Sequence, residues 1–85
     1  MDSDIVEEIR ALLRGHARLA VDPATLREDA DLYQAGLTSH ASVNLMLALE
    51  ERFEVEFPDR LLRRRAFGSI TSIREALEEL TGAGA

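Results

Sequence analysis

GLTSHASVNLMLALEERF, residues 36–53, holds the decision about the fold. At about 100° per residue, Ser42, Leu45, Met46, Leu49 and Phe53 gather on one side, the stripe of a helix buried in a bundle. The spacing predicts a helix over 39–53, stopped by the E-V-E-F-P run that follows. Val43 and Leu47 fall on the opposite side with His40 and Glu51, where water is expected. Ser39 stands at the start of this helix and has two readings. Its hydroxyl can cap the helix by accepting from the N–H two or three residues on, a contribution of about 1 kcal/mol. It can equally present a reactive oxygen at an exposed corner.

Upstream, Asp4 followed by Glu7 is a capping-box-like start, and Ile5, Ile9, Leu12 and Leu13 share one helical face, so a first helix is expected over 4–18. From Leu19 to Thr38 no period holds. A connection of that length needs its own packing, and Val21, Leu26, Leu32 and Tyr33 are the expected anchors. Downstream, Asp59 after Pro58 can cap a short helix over 59–65, with Gly68 as a stop. Thr71 or Ser72, the latter with Glu75 three residues on, can start a last helix over 71–81 carrying Ile73, Ala76, Leu77 and Leu80; residues 82–85 should fray. The expectation is an all-α chain, one domain over 1–85: a small four-helix bundle with a long loop between the first two helices and a short third helix.

Composition limits the function. A chain of 85 residues buries only roughly 60% of its unfolded surface, which leaves little room for a deep catalytic pocket. It has no cysteine, hence no disulfide framework or thiolate metal site, and any thiol chemistry must be borrowed. Its two histidines, His16 and His40, lack metal-ligand spacing, and His40 diverges by about 100° from Ser39, so neither a metal centre nor a Ser–His nucleophile is expected. The net charge of −6 argues against nucleic-acid binding. No apolar run reaches membrane-spanning length and the N-terminus lacks a signal-peptide layout, so a cytoplasmic protein with no membrane partner is expected. All ten basic residues are arginine, and Arg60, Arg63, Arg64 and Arg65 are crowded together. They read either as a solvated face pairing with Glu50, Glu51, Glu54 or Glu56, or as a partner-specific patch.

Three segments, DLYQAGLTS, SVNLMLALEERFEVEFPD and FGSITSIREALEEL, resemble in order and spacing the acyl and peptidyl carrier protein family. Asp31, Leu32, Gly36, Ser39, Val43, Leu45, Leu49, Glu50, Glu51, Phe53, Pro58 and Asp59 carry the resemblance. It implies a four-helix carrier fold with Ser39 as the attachment point of 4'-phosphopantetheine, transferred from coenzyme A by a pantetheinyl transferase with magnesium. The arm's thiol would hold an aminoacyl or acyl group as a thioester. The chain would then be no enzyme but a monomeric carrier. An amino acid or acyl ligase would load it, and a downstream acyl-accepting enzyme would unload it. Thr38, His40, Val43, Leu47, Arg63 and Arg64 are the expected docking residues. Thr38 stands where the family commonly has aspartate, His40 where leucine is usual and Asn44 where an acid is common, which weakens charge steering at this helix. The Gly-Leu-Thr-Ser-His run looks most like the small aminoacyl carriers charged by stand-alone ligases. The competing reading is an unmodified helical interaction module in which Ser39 is only a cap and Val43 and Leu47 contact a partner.

Overall fold

The structure, a computed structural model, describes residues 2–17 and 19–82, with side chains from Ile5 onward. Three α-helices are present among the described residues: α1 (Asp2–His16), α2 (Ser39–Phe53) and α3 (Ile70–Thr81). Short 3-10 turns occupy Pro23–Thr25, Asp59–Leu61 and Arg64–Phe67. α1 packs against both other helices. The core is Val6, Ile9, Leu13 and Ala17 from α1 and its end, Ala41, Leu45 and Leu49 from α2, and Ile70, Ile73, Ala76 and Leu77 from α3, with Leu32, Leu37, Phe57 and Phe67 closing it. No described helix is long and apolar enough to cross a membrane.

α2 has the bounds its stripe predicts. Leu45 and Leu49 are wholly buried, whereas Ser42, Met46 and Phe53 lie half-buried at the margins. The helix stops at Glu54, left-handed at φ 54°, and the Glu50 carboxylate accepts from the Phe57 N–H at 2.8 Å to close the following turn. α1 starts at Asp2 rather than Asp4 and ends at His16, and Arg18 lies outside the described residues. Its buried stripe centres on Val6, Ile9 and Leu13, leaving Ile5 and Leu12 half-buried on either flank. A bidentate ion pair ties α1 to α2, Arg52 Nε and NH2 donating to Glu8 at 2.8 and 2.7 Å.

The expected α-helix over 59–65 is absent, so the described residues form three α-helices and not four. Every backbone bond in its place is of the tighter i to i+3 kind, among them Leu61 N–H to Pro58 O at 2.8 Å and Ala66 N–H to Arg63 O at 2.9 Å. Leu61 and Phe67 explain the break. Six residues apart, they would point about 240° from each other on a continuous α-helix. Arg63 instead turns extended, at φ −114° and ψ 150°. Phe67 then goes into the core against the Phe57 ring at 5.5 Å, while Leu61 packs at its edge. Asp59 is the first residue of its turn and not a cap, since Pro58 holds the capping position. α3 begins at Ile70 because Ser69 caps it, accepting from the Ser72 N–H at 3.0 Å. Thr71, expected as a start signal, instead fastens the long loop: its N–H and hydroxyl both donate to Glu28 O, at 2.9 and 3.1 Å. Of the tail expected to fray, residues 83–85 lie outside the described residues.

The long loop is held by a succession of turns. Asp22 accepts from the Ala24 N–H at 3.0 Å and from Arg14 at 3.2 Å, and these bonds, the backbone one foremost, hold its carboxyl below the usual carboxylate range. Arg10 on α1 donates to the carbonyls of Pro23 and Leu26. Leu32 is fully buried, and Leu26 and Tyr33 are half-buried as expected of anchors. Val21 is not an anchor, at 44% exposure; Pro23 and Leu37 are buried in addition. Gly36 takes φ 116°, and a Cβ there would come 3.0 Å from the Ala20 nitrogen, so only glycine suits the close approach that delivers the chain to α2.

Candidate functional site

The cap of α2 is Thr38, not Ser39. Thr38 adopts extended backbone, φ −99° and ψ 166°, and its hydroxyl oxygen accepts from the Ala41 N–H at 3.0 Å. Ser39 is therefore the first residue inside the helix. Its side chain is exposed, and among the described residues its hydroxyl has no hydrogen-bond partner. The reading of Ser39 as a cap is thereby corrected, because its neighbour does that work. Thr38→Ala should lower unfolding free energy by about 1 kcal/mol, measured by urea titration, as the lost cap exposes an unpaired N–H.

Ser39 opens onto a groove of about 370 Å³. One wall is α2, with Ser42, Val43 and Met46; the other is the segment Leu62, Arg63, Arg64 and Phe67, with Tyr33 across the end. Two contacts fix that second wall to the loop: the Arg64 guanidinium lies 3.8 Å over the Tyr33 ring, and the Tyr33 hydroxyl donates to Arg64 O at 2.7 Å. A third, Leu32 N–H to Gly68 O at 2.8 Å, anchors its far side. Burial pushes the Tyr33 phenol up, against the opposing pull of Arg64.

The remaining expected site residues distribute around this groove. Val43 lines it and is 51% exposed; Leu47, 53% exposed, lines a different and larger recess of about 620 Å³ with Leu12, His16 and Arg52. The two side chains thus form a ridge between two recesses. Thr38 and His40 border a third, shared with His16, so His40 and Ser39 open onto different surfaces. Groups of three or more metal-ligating side chains are absent among the described residues. The arginine stretch does not pair with Glu50, Glu51, Glu54 or Glu56. Arg60 reaches Glu79 on α3 at 2.8 Å, Arg64 stacks on Tyr33, and Arg63 and Arg65 have no carboxylate partner among the described residues.

Chemically, this is an exposed hydroxyl at the positive end of a helix whose first turn carries no acid, opening onto a groove that Arg63 and Arg64 also line. Such a corner accommodates a covalent phosphate. The sequence matches the profile of the phosphopantetheine attachment site over residues 7–80. The chain belongs to this phosphopantetheine-binding carrier family. It is accordingly a carrier and not an enzyme, and its cofactor is a covalent 4'-phosphopantetheine.

Curated and solved relatives of the carrier agree. It is 47% identical over 70 residues to an aminoacyl carrier protein of Agrobacterium fabrum (strain C58), covering 82% of this chain and 84% of that one. It is also similar, at 43% identity and a TM-score of 0.86, to the carrier in a crystal structure of an engineered Bradyrhizobium japonicum glycine:[carrier protein] ligase complexed with carrier protein from Agrobacterium tumefaciens and ATP. That match covers 89% of this chain and 99% of the other. A solution structure of an Agrobacterium tumefaciens protein matches at 39% identity and a TM-score of 0.68, covering 99% and 96% of the two chains. Sequence reasoning missed the groove itself, made by Tyr33, Leu62 and Phe67 against α2; the signal available was an arginine run interrupted by the pair Leu61 and Leu62.

Proposed function

We propose that the Ser39 Oγ is the attachment point of the arm and that the protein carries an aminoacyl group on it as a thioester. The observation that carries this reading is the division between Thr38, which caps α2, and Ser39, whose exposed hydroxyl has no structural bond to lose. A pantetheinyl transferase supplies the arm from coenzyme A, and the arm contributes the thiol this cysteine-free chain lacks. The relative crystallised with a glycine:[carrier protein] ligase supports loading by a ligase of that class. A downstream acyl-accepting enzyme takes the cargo off, and the carrier works as a cytoplasmic monomer. What the chain itself does is hold and present. The first turn of α2 places the serine oxygen outside the core, and the helix end tolerates the phosphodiester charge. The tethered cargo stays at high effective concentration near whichever enzyme docks. Docking falls to the ridge of Val43 and Leu47, flanked by Thr38 and His40 on one side and Arg63 and Arg64 on the other.

Incubation with coenzyme A, magnesium and a broad-range transferase should add one phosphopantetheinyl group to the intact mass, and peptide mapping should place it on Ser39. No gain with two different transferases would favour the non-covalent interaction module instead.

A further inference from the structure

Beyond α2, residues 63–65 carry charge that no carboxylate pairs among the described residues. In a chain of net charge −6, three consecutive arginines, Arg63 to Arg65, are exposed. Arg63 and Arg64 line the same groove as Ser39. None of the three has a carboxylate partner among the described residues, whereas their neighbour Arg60 is neutralised by Glu79. The elements packed around the groove offer little compensation. α2 has no acid before Glu50, and Glu50 is committed to the Phe57 amide. Asp31 of the loop accepts from the amides of Tyr33 and Gln34, and Asp59 lies exposed on the preceding turn. Three adjacent like charges repel one another, a cost that an oppositely charged outside partner would relieve. A chain of net negative charge thus presents a basic edge at the groove onto which Ser39 opens.

We infer that this guanidinium edge is the recognition surface for an acidic patch on the ligase that loads the arm. The inference rests on the reading of Ser39 as the attachment point. An enzyme that offered basic residues here would meet Arg63 and Arg65 as repulsion, so the complementary surface is carboxylate-rich. Rim charges of this kind act mainly on encounter and are weakened by salt.

The test uses the carrier with its arm attached, confirmed by mass, and a glycine:[carrier protein] ligase with glycine and ATP as the probe. Steady-state loading is compared for wild type, R63Q and the double variant R63E/R65E, at low and at 0.3 M salt, with circular dichroism to show that each variant is folded. Arg64 is left in place because its stack on Tyr33 supports the groove. The expected result is a KM for the carrier raised about tenfold or more in R63E/R65E, a smaller rise in R63Q, little change in kcat and a flatter salt dependence in the double variant. Should the double variant leave KM unchanged or lower it, the partner surface is not acidic and the inference is overturned. Loss of arm attachment in the variants, with loading of whatever holo-protein forms left normal, assigns the arginines to the phosphates of coenzyme A and overturns it too. A wild type that takes the arm yet is not loaded rejects this ligase class as the partner. A wild type that takes no arm removes the attachment reading, and the inference with it.

Discussion

Ser39→Ala should take no phosphopantetheinyl group under conditions that modify the wild type completely, while its unfolding free energy stays within about 0.5 kcal/mol of wild type. The two halves of this result come from different atoms. Modification needs the serine oxygen, and no neighbouring hydroxyl replaces it: Thr38 Oγ1 is engaged by the Ala41 N–H and Ser42 donates its hydroxyl to Ser39 O at 2.7 Å. Stability is spared because the exposed Ser39 hydroxyl bonds nothing in the fold and alanine is a good helix former. Intact-mass spectrometry and a urea titration read the two quantities. An unfolded alanine variant would mean that the serine is structural, and a variant still modified would place the arm on another residue.

Two leucines one helical half-turn apart should separate the core from the docking surface. Leu49 is wholly buried in the core, and Leu49→Asp should abolish the cooperative unfolding transition. Truncating a buried leucine alone costs about 2–5 kcal/mol. An unpaired carboxylate in the same place adds a desolvation cost of at least a few more kcal/mol, against a total stability of only about 5–15 kcal/mol for a domain. Leu47 is 53% exposed, so Leu47→Asp should keep its helicity and melt within a few degrees of wild type. Its loading by the ligase should nevertheless fall about tenfold or more, since charge enters an apolar contact. Circular dichroism with a loading assay distinguishes them; equal loss of fold in both would place Leu47 in the core.

The parts legible from sequence were those set by a repeated signal. Four turns of alternating burial on α2, closed by a proline-bearing breaker, fixed its bounds at Ser39 and Phe53. The parts that were not legible depended on a single torsion or on distant packing. Thr38 and Ser39 are both good caps, and only the extended backbone at Thr38 decides between them. The stretch 59–65 has a helix-like start signal, but the separate demands of Leu61 and Phe67 for the interior broke it into turns. Pairing of the arginines with Glu50, Glu51, Glu54 or Glu56 was one of two readings open in the sequence, but Arg60 goes to Glu79, and beyond the extended Arg63 the chain brings Arg64 onto Tyr33. On α1, Ile5, Val6, Leu12 and Leu13 are all apolar, so which of them is buried rested on how the helix is turned against α2 and α3.

The fastening of the groove's second wall has a kinetic consequence. That wall is built from short turns and hangs on contacts between residues 31 to 36 positions apart in the chain, Tyr33 with Arg64 and Leu32 with Gly68. α2 needs only neighbours to close its turns. Segments with few buried contacts and distant pairing are the ones that open below the global unfolding limit. Amide protons of Leu32, Ala66 and Gly68 should therefore exchange with solvent before those in the middle of α2, so that Ser39 keeps its helix through excursions in which the basic wall swings free.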